Sequence, residues 1–422
     1  MTALLKCATP NLALLCTMSE PILQGSALLE RFQALDAFVV EHQALWRPRP
    51  FTALQLPWEA DWPELAAWLR SRTLEQAEAD HGQPWTIPAP TPFPEWGQQA
   101  QALTRLGQLP RKATPPPRPV SAIAAIPGRK LQQIEAFAAC LQFSRAPNHW
   151  LDWCSGKGHL GRWLTQAGQT LTCLEYDPML VEAGSALSTR LGIKAQHLCQ
   201  DVMAEDAAAS LQPEHSPVAL HACGDLHMRL LQLASAKGCA HLAVAPCCYN
   251  RIAASHYQPL SDAAKASTLQ LSRDDLGLPL SETVTAGARV KRQRDRSMAW
   301  RLAFDLLQRR LRDCDQYLPT PSLSSDWFDK PFAAFCHDLA ALRGIPAPGE
   351  QAWDDLQEQG WQRLAQVRNL ELVRNLFRRP LELWLLLDRA LYLQEQGYQV
   401  RLGSFCEYHL SPRNLMLLAE RA

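Results

Sequence analysis

The sequence has no excess of charge of either sign. Its 422 residues contain 42 Lys and Arg and 42 Asp and Glu, so the formal net charge at pH 7 is zero. A protein that binds nucleic acid through its overall charge would be strongly basic, so any contact with phosphates must come from a local cluster of Lys and Arg. Hydrophobic residues make up 47% of the chain and charged residues 20%, which is typical of a globular protein with more than one structural unit.

Long uninterrupted hydrophobic runs are also missing. The run LALLC (12–16) is too short for a convincing signal peptide, and PLELWLLLDRALYL is interrupted by Glu382, Asp388 and Arg389. Neither run predicts a membrane span, and we expect no contact with membranes. The 13 cysteines are an odd number in a large chain. This favours reduced thiols and a cytoplasmic protein over a secreted disulfide framework.

Composition and hydrophobic periodicity divide the chain into five parts. Residues 1–109 are rich in Trp and Pro and mainly helical, and 110–127 form a Pro-rich linker. Residues 128–250 alternate strands with helices. The remainder consists of a helical insertion, 251–370, and a final helix and hairpin, 371–422.

The alternation predicts an α/β fold. Five apolar strands, NHWLDWC, TLTCLEYD, IKAQHLCQD, SPVALHACGD and CAHLAVAPCC, are separated by helical segments, as in a doubly wound parallel sheet. The last two strands, GYQVRLGSFCEY and PRNLMLLAER, lie so close in sequence that they must be antiparallel. Five parallel strands and a terminal hairpin predict a seven-stranded, Rossmann-like class I methyltransferase fold rather than a dehydrogenase fold.

The turn LDWCSGKGHLG, after the first of these strands, lacks the first glycine of a nucleotide-binding loop. Gly156 and Gly158 are present, but Cys154 occupies the first glycine position. A pyrophosphate needs the closest approach to the backbone, so this replacement argues against a dinucleotide. S-adenosylmethionine makes a looser demand, and Asp152 could receive its ammonium group through water.

Two further acids end the next two strands. Glu175 lies 23 residues after Asp152, where a carboxylate would accept both ribose hydroxyls, and Asp201 ends the third strand, near an adenine amino group. Single acids at strand ends are often solvated turn residues, but three at matching ends favour a cofactor site. The predicted cofactor contacts also include Ser155, His159, Tyr176 and Val202.

Three motifs together resemble a known methyltransferase family: DWCSGKGHLG, HACGDL (221–226) and PCCYN (246–250). The family includes methyltransferase-like proteins once described by a ribosomal RNA adenine dimethylase domain, and the glutathione S-transferase C-terminal domain-containing protein. A more distant likeness is to tRNA 2′-O-methyltransferases with a Cys-Cys-His-His motif. The resemblance covers about 127–250, RRPLELWLLLDRALYLQEQG and SPRNLML. It implies S-adenosylmethionine as cofactor, lined by Cys154, Gly156, Gly158, Glu175 and Asp201, with His221, Ala222 and Cys223 beneath it.

The resemblance places PCCYN at the mouth of the site, beside the methyl group, and the segment has several interpretations. In the first, Pro246 and Cys247 stiffen the turn while Tyr249 stacks on or hydrogen-bonds the acceptor, with Cys248 and Asn250 beside it. In the second, a cysteine thiolate is the nucleophile. The others are a metal site made with His221 and Cys223, and two small buried hydrophobic residues. The spacing fits no usual zinc pattern, and we expect no metal.

The catalytic candidates are therefore Cys247, Tyr249 and His221, with Asp225 as a further general base if the acceptor carries a proton. Asn250 stands where the family often has histidine, which puts a proton-transfer role there in doubt. His215 and His227 are expected at the surface.

ARVKRQRDR (288–296) is the densest basic cluster that bears on the substrate. Arg289, Lys291 and Arg292 could hold RNA phosphates, although they could equally form a solvated helix face. We therefore predict an S-adenosylmethionine-dependent methyltransferase acting on tRNA or rRNA. A protein side chain as substrate, or a cofactor-binding module without catalysis, is the alternative.

Overall fold

The computed structural model describes residues 20–112, 126–281 and 287–421. They contain one eight-stranded sheet. Its strands are β1 (Leu23–Gln24), β2 (His149–Trp153), β3 (Thr170–Glu175), β4 (Ala195–Cys199), β5 (His215–Leu220), β6 (His241–Ala245), β7 (Tyr398–Ser404) and β8 (Leu415–Arg421).

The strand order is β1-β7-β8-β6-β5-β2-β3-β4. Strands β2 to β6 are parallel to one another, whereas β8 lies antiparallel between β6 and β7. This order, with one antiparallel strand inserted before the last, is that of a Rossmann-like class I methyltransferase, so the predicted fold is confirmed. The count of seven strands was wrong, because Leu23 and Gln24 add a short antiparallel strand beside β7.

Helices connect the strands and extend from both sides of the core. They are α1 (Ser26–Glu41), α2 (Gln43–Trp46), α3 (Pro63–Ser71), α4 (Leu74–Asp80), α5 (Phe93–Thr104), α6 (Gly128–Cys140), α7 (His159–Leu164), α8 (Pro178–Arg190), α9 (Asp225–Lys237), α10 (Asp262–Lys265), α11 (Ala288–Arg312), α12 (Phe332–Arg343), α13 (Trp353–Asn375) and α14 (Arg378–Glu395). Local chemistry sets several ends: Asp177 accepts a hydrogen bond from the Met179 N–H at the start of α8, and Gly238 ends α9 in the left-handed conformation.

Side chains alternate between the two faces of the sheet. Along β6, Leu242 and Val244 join the larger apolar cluster, while Ala243 and Ala245 join the cluster on the opposite face, which also holds residues of α6 and α7. Helices α9 and α14 cover the larger cluster. Both faces are therefore buried, as a parallel sheet requires.

The N-terminal helices are not an isolated appendage. Helix α1 packs on α14, where the ring of Phe32 lies 5.3 Å from that of Trp384 and the Trp384 indole donates a 2.8 Å hydrogen bond to Asp36. Helix α13 packs on α3, α4 and α11, so the N-terminal region and the helical insertion share contacts. The five boundaries stay predictions, and residues 113–125 of the predicted linker lie outside the described residues.

Two histidines expected at the surface are buried. His215 is 5% exposed and His227 is fully buried. Burial lowers the pKa of both, with His149 adding to the effect for His215 and Arg389 for His227. Both histidines are therefore neutral core residues. None of the helices within the described ranges combines the length and the apolar character that a bilayer crossing needs.

Candidate active site

The loop after β2 is built from three residues in the left-handed region. Cys154 has φ 56°, Gly156 φ 57° and Gly158 φ 71°. The Ser155 N–H donates to the Leu174 carbonyl of β3, and the Gly158 N–H donates back to Ser155. Cys154 thus adopts, at some cost in strain, the backbone conformation that the expected glycine would adopt freely.

Gly158 and Gly161 let α7 lie close to the sheet. A Cβ on Gly158 would come within 3.0 Å of the Cys173 sulfur, and one on Gly161 within 2.5 Å of Leu171. Gly161 was not among the predicted site residues, although it is the last glycine of LDWCSGKGHLG.

Asp152 supports the loop from below and does not reach the cofactor side. It is 3% exposed, and its carboxylate accepts a 2.8 Å hydrogen bond from the Gly161 N–H. Burial raises its pKa to about 7, which the Gly161 hydrogen bond and Lys130 only partly oppose. A direct ammonium contact would need an exposed carboxylate, so the predicted contact through water stays a prediction.

His159 also faces the interior. It is 7% exposed, and its Nδ1 lies 3.2 Å from an Arg162 guanidinium nitrogen. Burial, followed by Arg162, lowers its pKa to about 4. Ser155 is buried as well, and both side chains are almost fully withdrawn from solvent.

Glu175 is the acid that reaches the loop. Its Oε2 accepts a 2.8 Å hydrogen bond from the Gly156 N–H, and its Oε1 accepts from the backbone N–H groups of Tyr176 and Asp177. Tyr176 is 72% exposed beside it. The carboxylate and the glycine thus form one edge of an open surface at the carboxyl ends of β2 and β3.

Asp201 continues this edge beyond β4. It is exposed, and its Oδ1 accepts a 2.9 Å hydrogen bond from the Met203 N–H. Val202 is buried behind it, whereas Met203 is 44% exposed. The predicted ribose and adenine acids thus follow adjacent parallel strands, as the rule for ligands in open α/β sheets requires.

The turn after β5 is strained and tied to the turn after β6. His221 has φ 70°, and its N–H donates to the Ala245 carbonyl. Its Nε2 lies 2.9 Å from the Gln133 side-chain oxygen. Burial, with Lys130 next, lowers the pKa of His221 to about 4, so the imidazole is neutral at pH 7. Ala222 is buried next to it.

Three thiols meet between these turns. The Cys223 sulfur lies 3.1 Å from that of Cys247, which lies 3.6 Å from that of Cys248. The hydrogen bond from Cys247 lowers the pKa of Cys223 to about 6 and raises the pKa of Cys247. Burial raises the pKa of Cys248. The three thiols therefore titrate as one coupled group, and the nucleophile interpretation extends to Cys223, which the sequence placed in the cofactor set.

Tyr249 points into the core, contrary to the prediction that it stacks on the acceptor. It is 1% exposed, and its hydroxyl has no hydrogen-bond partner among the described residues. The Arg389 guanidinium lies 5.4 Å from its ring centre, and His227 lies edge-on at 6.4 Å. Burial raises its pKa well above the usual range. Pro246 is buried too, and Asn250 is half-buried.

A cavity of about 400 Å³ lies between α5, the start of α14 and the loop that joins β7 to β8. Arg379 in its wall donates to the Glu382 carboxylate at 2.6 Å and to the Asn414 side chain at 2.8 Å. Pro412 lies in the same wall, and the next residue, Arg413, is close enough to oppose the burial effect on the pKa of Cys248. The other basic wall residues are Arg105 and Arg378.

The basic segment of α11 is separate from this cavity wall. Arg289, Lys291 and Arg292 are exposed on the first turns of α11, whose main packing partners are α12 and α13. Arg294 is paired with Glu78 and Asp295, so it does not belong to the open basic surface.

Part of the chain matches a known protein family. Residues 129–255 match a family model described as a methyltransferase domain. Three solved structures have low similarity. A low-resolution structure of WbdD shows 17% identity and a TM-score of 0.21, covering 32% of this chain and 30% of that one. The plantazolicin methyltransferase BamL, in complex with a desmethyl-plantazolicin analog and SAH, shows 13% identity and a TM-score of 0.21, covering 43% of this chain and 60% of that one.

Coclaurine N-methyltransferase, bound to N-methylheliamine and SAH, shows 14% identity and a TM-score of 0.26, covering 82% of this chain and 94% of that one. The chain thus spans 30% and 60% of the length of WbdD and BamL. The family match assigns residues 129–255 to a methyltransferase domain. The strand order, which also includes β7 and β8, is that of the class I fold, the fold of enzymes that take their methyl group from S-adenosylmethionine.

Proposed function

We propose that the protein transfers a methyl group from S-adenosylmethionine to a nucleotide of tRNA or rRNA. The observation that carries the RNA assignment is the arginine-bearing cavity between α5, the start of α14 and the loop that joins β7 to β8. Arg105, Arg378 and Arg379 line it beside two acids, Glu20 and Glu382, and Arg105 is the most exposed of the three arginines. Guanidinium groups bind phosphates through paired N–H donors. Arg413, which follows Pro412 of the cavity wall, acts electrostatically on Cys248 in the turn after β6, and this links the cavity to the thiols.

In this proposal the cofactor lies along the ends of β2, β3 and β4. Glu175 holds the ribose, the backbone at Gly156 and Gly158 allows close approach, and Asp201 faces the adenine. Cys154, Tyr176 and Ala222 would complete the contacts. Methyl transfer from a sulfonium depends mainly on aligning acceptor, carbon and leaving sulfur, so positioning supplies most of the rate gain.

The same geometry restricts the acceptor. His221 has a pKa of about 4 and is held by Gln133, so it is a weak base at pH 7. Asp225 accepts a 2.7 Å hydrogen bond from the Ala253 N–H. An acceptor that attacks through a lone pair and loses its proton afterwards suits this site better than one that must be deprotonated first.

We also propose that the chain is related to the family with the ribosomal RNA adenine dimethylase and glutathione S-transferase C-terminal names. Its three motifs follow the ends of β2, β5 and β6, as one shared site would require. With this goes the proposal of a cytoplasmic location, which rests on the sequence composition.

Methylation assays with labelled S-adenosylmethionine test the substrate class. We expect label in total RNA that ribonuclease removes and protease does not. Label that protease alone removes would replace RNA by a protein side chain as substrate. Cofactor binding without label in either fraction would indicate a binding module.

The RNA affinity of the Arg105→Gln variant tests whether the cavity binds RNA. Arg105 is 61% exposed and forms only a 3.6 Å surface pair with Glu20, so its loss should leave the fold intact. We expect weaker RNA binding and a salt dependence reduced by about one phosphate contact. Arg343→Gln, at the exposed end of α12, is the matched control and should leave both unchanged. Equal behaviour of the two variants would contradict the role of the cavity.

The second basic surface needs its own variant. If Arg289, Lys291 and Arg292 also bind phosphates, the triple alanine variant should lower affinity and salt dependence further. An unchanged salt dependence would remove this surface from the proposal.

A further inference from the structure

Three cysteine sulfurs form a compact group at the carboxyl ends of β5 and β6. The sulfurs of Cys223, Cys247 and Cys248 all lie within 4.8 Å of one another, with separations of 3.1 Å and 3.6 Å for the two closest pairs. In the part of the chain that the structure describes, no other group of three potential metal ligands of this kind is found. Thiolates in a tight cluster favour soft cations such as Zn²⁺.

The backbone fixes the two turns that carry the sulfurs. The Gly224 N–H donates a 2.7 Å hydrogen bond to the Cys248 carbonyl, and the Asp225 N–H donates to the Arg251 carbonyl at 3.0 Å. Gly224 has φ 58°, and a Cβ there would overlap the Arg251 carbonyl. The turns are therefore held together independently of the thiols, and their spacing is part of the fold.

The expectation of no metal rested on the sequence spacing, and the rarity of adjacent cysteines that bind one ion also argues against a site; this geometry answers both points. The three cysteines do not need the sequence spacing of a zinc motif, because the adjacent ends of the parallel strands β5 and β6 bring Cys223 to Cys247 and Cys248. Adjacent residues of an extended chain point their side chains in opposite directions. Here the turn after β6 instead brings the Cys247 and Cys248 sulfurs to 3.6 Å.

The neighbouring histidine is not the fourth ligand. The Nε2 of His221 lies 2.9 Å from the Gln133 side-chain oxygen, and the backbone carbonyl of His221 faces the Cys223 sulfur at 3.1 Å. The cluster thus supplies three ligands and leaves one tetrahedral position open. Three protein ligands with an exchangeable fourth position distinguish catalytic zinc sites from closed structural ones.

We propose that Cys223, Cys247 and Cys248 bind one Zn²⁺ ion whose open position faces the methyl-acceptor side of the site. A Zn–S bond of about 2.3 Å places tetrahedral sulfurs about 3.8 Å apart, so small movements of the three side chains would complete the site. A disulfide would use only two of the three sulfurs. The proposal does not depend on RNA being the substrate.

Metal analysis of the full chain, purified with reductant and without chelator, tests the proposal. We expect about one zinc per chain in the wild type. Cys223→Ser and Cys248→Ser should lose most of it. Cys314→Ser, which changes a half-buried thiol outside the cluster, is the matched control and should retain it. Co²⁺ added to the metal-free protein should give the absorption of tetrahedral thiolate coordination in the wild type and the control only.

Alkylation of the wild type covers the case in which serine variants fail to fold. Zn²⁺ should protect the three thiols and leave Cys199, which is exposed, equally reactive. Equal alkylation with and without Zn²⁺ would overturn the proposal. So would failure of the fully reduced, metal-free wild type to take up Co²⁺, or a triple serine variant that retains zinc.

Discussion

The carboxyl edge of the parallel strands has two halves that differ in exposure, one formed by the ends of β2 to β4 and the other by the ends of β5 and β6. Beyond β2 to β4, the acids Glu175 and Asp201 and an open glycine at 156 present polar groups to a solvent-facing surface. Beyond β5 and β6, tightly tied turns enclose three thiols, and Tyr249 is buried behind them. In the proposed function the ends of β2 to β4 bind the cofactor, and we call them the cofactor half. The ends of β5 and β6 receive the methyl acceptor in that proposal, and we call them the acceptor half.

Alanine at the two turn glycines should separate these halves most strongly. Gly224→Ala places a Cβ on the Arg251 carbonyl and adds left-handed strain, so we expect a loss of roughly 3 kcal/mol or more in the free energy of unfolding, or failure to fold. Gly156→Ala meets open space, so only the strain of about 1–2 kcal/mol should appear. Denaturant unfolding of both variants measures the difference. Equal losses would show that the acceptor turns are not tightly tied.

The arrangement of the cofactor half was predictable because motif and topology coincide there, and its role in binding the cofactor stays a prediction. LDWCSGKGHLG, Glu175 and Asp201 lie at the ends of consecutive strands, and strand alternation alone places those ends together. The left-handed conformation of Cys154 also preserves the expected turn. The glycine at 161 was missed because its role is the approach of α7 to Leu171, which depends on tertiary contacts.

The acceptor half was predicted less well because its chemistry depends on burial. The letters PCCYN do not reveal that Tyr249 faces Arg389 or that Cys223 meets Cys247. His227 likewise looked like a surface residue, but Arg389 donates a 2.6 Å hydrogen bond to its Nε2 within the core. The short strand β1 was not predicted, because its two residues, Leu23 and Gln24, are too few to show a hydrophobic pattern.

The pH dependence of stability should report the protonation of Asp152, which is buried beneath the loop after β2. Burial raises the pKa of Asp152 from about 3.8 to about 7, so its folded form holds a proton that the unfolded form releases. Its stabilisation is therefore complete below about pH 3.8 and is lost as the pH rises towards 7. Asp152→Asn cannot lose this proton.

Unfolding free energies at pH 5 and pH 8 measure this effect. From pH 5 to pH 8, the free energy of unfolding of Asp152→Asn should rise relative to that of the wild type by on the order of 2–4 kcal/mol. Histidines with lowered pKa give the opposite slope, but they are common to both proteins. A constant difference between variant and wild type would contradict a buried, proton-holding Asp152.

A smaller effect distinguishes the two buried tyrosines behind the acceptor turns. Tyr249→Phe removes a hydroxyl without a described partner, so the free energy of unfolding should stay the same or rise by up to about 1 kcal/mol. Tyr257→Phe removes a hydroxyl that donates to Asp388 and accepts from Arg389 at 3.0 Å, so we expect a loss of about 1–3 kcal/mol.

Methyl transfer adds a second readout for Tyr249. Because its hydroxyl is buried, Tyr249→Phe should retain activity. A large loss of activity with unchanged stability would mean that the hydroxyl reaches the acceptor in the working enzyme.

The most direct test of the account is calorimetric titration with S-adenosylmethionine and S-adenosylhomocysteine. The wild type should bind both with a stoichiometry of about one per chain. Glu175→Ala should bind at least about tenfold more weakly, because it loses the carboxylate assigned to the ribose hydroxyls. Absence of binding by the folded wild type would contradict the cofactor site, and unchanged affinity in Glu175→Ala would contradict its placement beside Gly156.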